Sequence, residues 1–229
     1  MIGNGNFPGP EGKSGPARII GAAIAALVVA TALTGVSATG ALPGGTDQAE
    51  AAACKNVRLG SRALKKGHCG EDVRALNWFL NAKKYGVKPN GKFRSKTRKA
   101  VRKLQKEAGL TRDGIVGNQT IKKMKKRMGS GYASWYGPGF WGNNTACGKK
   151  LKKGTVGVAV PAEKIGKYPC GSRILLNHGG RWVRARVIDT GGFSKYGRKW
   201  DLTERTAKLL NPNYKSEGVF KVRAVVRKK

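Results

Sequence analysis

Two aspartates in the C-terminal half are the best candidates for chemistry in this chain. Asp189 closes a run of alternating apolar residues and opens an Asp-Thr-Gly-Gly loop, and Asp201 stands in Lys-Trp-Asp-Leu-Thr. A carboxyl at a strand end, beside glycines that let a ligand approach the backbone, can be partly shielded from water and used in general acid–base work. Acids are scarce around them: beyond residue 129 the carboxyl side chains are Glu163, Asp189, Asp201, Glu204 and Glu217 alone. Asp201 also has a plain structural reading, because an Asp just before Leu-Thr and a helix can cap or brace its surroundings. The other apparatus is aromatic. Tyr132, Trp135, Tyr136, Phe140 and Trp141 crowd into the glycine-rich stretch 131–148. On a strand, Tyr132, Ser134 and Tyr136 face one side and Ala133 and Trp135 the other. Trp135 is therefore read as core, and Tyr136 and Trp141 as stacking partners for the flat apolar face of a ring such as a sugar, with Gly191 and Gly192 as the backbone beside it.

Other chemistries find little support. The two histidines, His68 and His178, form no His-Glu-x-x-His pattern, so no metal site is expected. There is no phosphate loop or dinucleotide fingerprint, and no cofactor is expected. A Cys-His endopeptidase would need a reduced cysteine beside one of the two histidines. Nucleic acid as a specific partner would rest on charge alone.

That charge is large: the 229 residues carry a formal net +34. It is spread over residues 54–128 and 129–229 alike, while the first 53 are nearly neutral. Such a balance implies a polyanionic partner or surface. Residues 19–36 are uncharged and follow Lys13 and Arg18, with a small-residue run after them. Residues 1–38 read as a signal peptide, cleaved after Val36-Ser37-Ala38, or as an uncleaved membrane anchor. Either reading puts the remainder outside the cytoplasm. The cysteines agree: Cys54 and Cys69 fall in one folded region, Cys147 and Cys170 in the next. Pairing within each region would staple two small domains, and a four-cysteine zinc site is the alternative, although no Cys-x-x-Cys is present.

The elements that must position these residues can be read from periodicity. After a low-complexity spacer, 39–53, residues 54–128 are helical in pattern. Val73, Leu76 and Leu80 follow the acidic pair Glu71 and Asp72; Ala100, Val101, Leu104 and Ala108 share a face that stops at Gly109; Ile121, Met124 and Met128 share another, with Asn118 as N-cap. Gly129, Ser130 and Gly131 read as a short flexible hinge. Residues 132–229 then change to period two. Val183, Ala185 and Val187 alternate with polar neighbours, as do Phe220, Val222, Ala224 and Val226. His178-Gly179-Gly180 reads as a hairpin turn, and a helix runs from a Thr203 cap through Ala207 and Leu210 to Asn211-Pro212.

The phrases LKKGHCGEDVRALNWFL, PNGKFRSKTRKAVRKLQKEAGL and RDGIVGNQTIKKM resemble the peptidoglycan-binding-like three-helix module. The resemblance covers residues 57–128, and departs from the usual pattern at Asn77, Asn90, Arg94 and Leu104. The phrases ASWYGPGFWGNNTACG, VAVPAEKIGKYPCGSRI and ARVIDTGGFSKYGRKWDLT resemble double-psi β-barrels that act on cell walls. The first and last are similar to the rare-lipoprotein-A family, Asp-Thr-Gly-Gly to the three-aspartate domain of a lytic transglycosylase, and the Ala-Cys-Gly and Pro-Cys-Gly pair to the expansin and barwin-like branch, in which such cysteines bridge.

These resemblances imply an all-α three-helix peptidoglycan-binding bundle followed by a mainly-β six-stranded double-psi barrel. They imply a monomeric, exported wall protein whose partners are peptidoglycan and anionic wall polymers, touching a membrane only through its first residues. Asp189 matches the motif aspartate of two branches and is expected to act as general acid and base, with Asp201 matching the second aspartate. The expected reaction is lytic transglycosylation, in which one carboxyl serves both proton transfers. Lys149 stands where the rare-lipoprotein-A pattern has a Glu, and Val160-Pro161 where it has a His. Those departures favour the alternative of an expansin-like protein that binds or loosens wall without cutting it.

Overall fold

The computed structural model describes residues 54–228. The segment read as a signal peptide or anchor, and the spacer after it, lie outside the described residues. Among those described, no helix is long and apolar enough to cross a membrane.

The helical module is tied down at its start by two short paired strands, β1 (Cys54–Lys55) and β2 (Cys69–Gly70), joined by the Cys54–Cys69 disulfide. Helix α1 (Glu71–Ala82) buries Val73, Leu76, Phe79 and Leu80, as its 3.6-residue pattern requires. Asp72 in its first turn is buried and accepts hydrogen bonds from Arg62 Nε at 2.7 Å and the Val73 N–H at 2.7 Å. Helix α2 (Ser95–Glu107) presents Ala100, Val101 and Leu104 to the same core and ends before Gly109, whose φ of 64° suits the left-handed residue that follows a helix. Helix α3 (Asn118–Lys126) adds Ile121 and Met124. Asn118 is not its cap: Gly117 holds that place, and no side chain caps the helix.

The second module is a closed six-stranded barrel with the order β3-β7-β4-β6-β5-β8. Its strands are β3 (Gly129–Tyr136), β4 (Val158–Pro161), β5 (Arg173–His178), β6 (Arg181–Gly191), β7 (Arg198–Thr203) and β8 (Phe220–Arg227). β3 runs parallel to β7 and β4 parallel to β6, and the other neighbours are antiparallel. The two parallel pairs fit the double-psi arrangement. Val158, Val160, Ile174, Leu176, Val183, Ala185, Val187, Trp200, Leu202, Phe220, Val222 and Ala224 fill the core from alternate positions. Gly179 and Gly180, with φ of 51° and 82°, make the two-residue turn between β5 and β6, a position where left-handed backbone favours glycine. Between β7 and β8 lie helices α4 (Glu204–Leu210) and α5 (Tyr214–Glu217). The Thr203 side chain caps α4, accepting from the Thr206 N–H.

The expected hinge is strand. Gly129, Ser130 and Gly131 are the first residues of β3 and pair with Ala224, Arg223 and Val222 of β8, so the barrel begins three residues earlier than its aromatic cluster suggests. Small residues suit this place for a reason other than flexibility: a side chain at Gly131 would collide with Lys199. The modules are also packed together. Leu175 and Val225, on the outer face of the barrel, are buried in the same cluster as the helical core, with Trp182 against it. Each such side chain contributes about 1.5–3 kcal/mol by leaving water. Glu71 pairs with Arg184, and Arg223 donates to the Lys125 carbonyl at 3.3 Å.

Candidate functional site

Four strands bring one row of residues together. Ser134 of β3 is level with Asp201 of β7; Asp201 is level with Ala159 of β4; and Ala159 is level with Asp189 of β6. Neighbouring strands lie about 5 Å apart, so the two aspartates leave the barrel about 10 Å from each other at the backbone, with one small side chain between. The row faces outward, because Val158, Val160, Trp200 and Leu202 on either side of it point to the core.

Two irregularities put the polar groups on that face. Val158 pairs with Val187 but Ala159 with Asp189, so Ile188 is an extra residue in β6. Strict alternation would send Asp189 inward after Val187; the bulge turns it out. In the same way Tyr132 pairs with Arg198 and Ala133 with Trp200, which makes Lys199 the extra residue of β7 and brings Arg198 to the outer side with Asp201.

Asp189 is held by three donors. Its Oδ1 accepts from the Ala146 N–H at 2.8 Å and the Thr190 N–H at 2.9 Å, and its Oδ2 from the Tyr136 hydroxyl at 3.2 Å. The loop that supplies Ala146 is fixed by its neighbour: Cys147 is bridged to Cys170 and donates its N–H to the Ile188 carbonyl. Burial pushes the Tyr136 phenol well above its ordinary range, with the Asp189 charge adding to it, so Tyr136 remains a donor. Asp201 has a different environment. It accepts from Ser134 Oγ at 2.8 Å. Burial raises its carboxyl above the ordinary range and the Asp189 charge raises it further, against opposing pulls from the Ser134 hydrogen bond and the Arg198 guanidinium. Asp201 is thus displaced toward its protonated form.

Asp201, Ala159 and Asp189 of this row floor a groove of about 440 Å³. Its walls are aromatic and cationic: Tyr136 meets Phe140 edge-on with centroids 6.3 Å apart, and the Arg198 guanidinium lies over the rings of Tyr196 at 5.1 Å and Phe193 at 5.9 Å. Arg198 Nε is buried without a hydrogen-bond partner among the described residues.

Tyr136, Asp189, Gly191, Gly192 and Asp201 all line this groove. Trp141 does not line it; its ring packs over Gly137, where a side chain would collide with it. The exposed aromatic of that loop is Phe140, which takes the wall position. Tyr196 and Arg198 were missed, although an aromatic and a cation inside the Asp189–Asp201 interval were a usable signal. Trp135 packs edge-on against Tyr214 at 5.0 Å beside the barrel core. Both disulfides join the cysteines within their own modules.

Residues 69–124 match the model of a putative peptidoglycan binding domain. A probable endolytic peptidoglycan transglycosylase RlpA of Synechocystis is 34% identical over 87 residues, which cover 37% of this chain and 25% of that protein. The chain thus spans about a quarter of the length of the curated relative it matches. Among solved structures, an expansin of Clavibacter michiganensis in complex with cellohexaose is similar at 20% identity and a TM-score of 0.36, over 43% of this chain and 50% of the other. A peptidoglycan-binding protein of Clostridioides difficile, in complex with glutamine hydroxamate, is similar at 38% identity and a TM-score of 0.27, over 28% of this chain and 40% of the other.

Proposed function

We propose that the chain binds peptidoglycan through its helices and cleaves the glycan strand in the aspartate groove as a lytic transglycosylase. The observation that carries this is the row Ser134–Asp201–Ala159–Asp189: two unlike carboxyls across a small residue, in a groove walled by aromatic rings. The sequence favoured Asp189 as proton donor; the environments favour Asp201. A carboxyl raised by burial keeps its proton to higher pH than an ordinary aspartate and can give it to the glycosidic oxygen as the bond to the anomeric carbon breaks. The 6-hydroxyl of the same sugar attacks that carbon, closes the anhydro ring and returns its proton to the Asp201 carboxylate. Asp189, fixed by three donors, faces the positive charge that develops at the ring. Arg198 Nε and the rings of Tyr136 and Phe140 are the proposed sugar contacts. The peptidoglycan-binding match and the two disulfides agree with an extracellular or cell-wall location.

The test is mass spectrometry of the soluble fraction after incubation with purified peptidoglycan. Anhydromuropeptides from the wild type, absent with Asp201→Asn, support the proposal; reducing-end fragments would make the protein a hydrolase. No soluble product, with the protein still pelleting with the wall, would leave the non-cutting reading. That reading has its own support in Pro161, which is buried in β4 where the rare-lipoprotein-A pattern has an ionisable group.

A further inference from the structure

We propose that the cleft between the helical module and the barrel is a second binding site, which takes a phosphodiester-linked anionic polymer of the wall. The cleft has a volume of about 790 Å³ and lies on the β6 side of the barrel, lined also by α1 and α4. Its charge is one-sided: Arg58, Arg181, Arg184, Arg186, Arg205 and Lys208 line it against a single carboxylate, Glu71. The pattern that builds it is simple. On β6, Trp182, Arg184 and Arg186 point outward while Val183 and Ala185 fill the barrel core, which spaces the two arginines about 7 Å apart. On α4, Arg205 and Lys208 are one turn apart and both exposed.

Only part of this charge is used internally. Arg184 pairs with Glu71, and Arg186 donates to the Gly171 carbonyl at 3.1 Å. Arg58, Arg181, Arg205 and Lys208 make no ion pair with any described residue. Cations gathered without counter-charge repel one another, and a polyanion relieves that repulsion.

The aromatic groups decide which polyanion. Trp78 and Trp182 line the cleft, but the Arg184 guanidinium covers the Trp78 ring at 5.5 Å and Trp182 packs against the helical core. Both rings are thus engaged within the protein, which disfavours the stacking on which a neutral sugar or an unpaired base would rely. What the cleft presents is guanidinium, whose planar fork suits phosphate oxygens. A chain of polyol phosphates, carrying charge at every repeat and no ring to stack, fits both observations.

The experiment uses the full chain and labelled poly(glycerol phosphate), with binding read by fluorescence anisotropy over a range of salt. One variant combines Arg181→Gln, Arg205→Gln and Lys208→Gln. A second removes the same charge from exposed positions on α2, by Lys96→Gln, Lys99→Gln and Lys106→Gln. The cleft variant should bind about tenfold more weakly or worse and show a shallower salt dependence, while the α2 variant changes less than about threefold. Thermal melting of both variants beside the wild type shows that each is folded. Equal losses in the two variants would overturn the proposal by making the attraction diffuse. Single-stranded DNA of equal charge, bound as tightly and weakened by the cleft variant alone, would also overturn it by giving the cleft to nucleic acid. Binding by Asp201→Asn protein should match the wild type, which separates this site from the groove.

Discussion

Asp189 and Asp201 stand level with each other across the barrel surface, with Ala159 of β4 the only residue between them in the sheet. They differ in what surrounds them. Asp189 accepts two backbone N–H groups and a phenol, whereas Asp201 accepts one hydroxyl and is raised mainly by burial. The groove therefore holds two carboxyls in unlike environments.

Replacing Asp201 with Asn should lower the release of anhydromuropeptides by about 10² to 10⁴-fold while leaving wall binding within about twofold. Because the working form is protonated, wild-type activity should fall as pH rises through the raised Asp201 value. Rates measured from pH 4 to 9 check this; a rate that rises steadily over that whole range is incompatible with Asp201 as the acid.

The same residue sets a stability signature. A carboxyl whose folded value lies above its unfolded value favours the folded state when protonated. Its contribution is fully present below the unfolded value, about 3.9, and is lost as pH rises through the folded one. Asp201→Asn is neutral throughout and can still accept from Ser134. Its melting temperature should therefore gain on the wild type between pH 3 and pH 7, and parallel curves would show that Asp201 is not raised.

The Cys147–Cys170 bridge should matter to the groove beyond its effect on folding. Replacing both cysteines by Ser should cost about 2–4 kcal/mol in denaturant unfolding. Activity should fall further than the folded fraction does, because the Ala146 N–H that holds Asp189 is next to the bridge. Activity tracking the folded fraction alone would confine the bridge to a structural role.

Ala159 is a test of the groove itself. Ala159→Leu should add about 1–3 kcal/mol of overpacking at the groove floor and remove most of the glycan cleavage. Helix-mediated wall binding should survive, read by pelleting with peptidoglycan. A fully active Ala159→Leu protein would mean that substrate does not cross the row.

Much of this fold is legible in the residues. Val73, Leu76 and Leu80 mark one helix, Val183, Ala185 and Val187 one strand, and Thr203 and Gly179-Gly180 the cap and turn that the structure contains. The site is legible in its residue types but not in its geometry. Nothing in alternation announces that Ile188 and Lys199 are extra residues, yet those two bulges put Asp189 and Arg198 on the groove face. Gly129-Ser130-Gly131 misleads for a related reason: local composition speaks for flexibility, and pairing with β8 fixes the segment as strand. Trp141 and Phe140 were separable only by knowing that Gly137 leaves room for the larger ring.

The absence of slack between α3 and β3 has a consequence for products. With Leu175 and Val225 buried against the helices, the helical module and the barrel are packed through a shared core. In a chain that cuts, the distance from the anchored segment to the severed bond is then a fixed length, and the molecule acts as a ruler. Fragments should fall in a narrow range of saccharide lengths when sized by chromatography, and inserting a long Gly-Ser segment before Gly129 should broaden that range toward random scission.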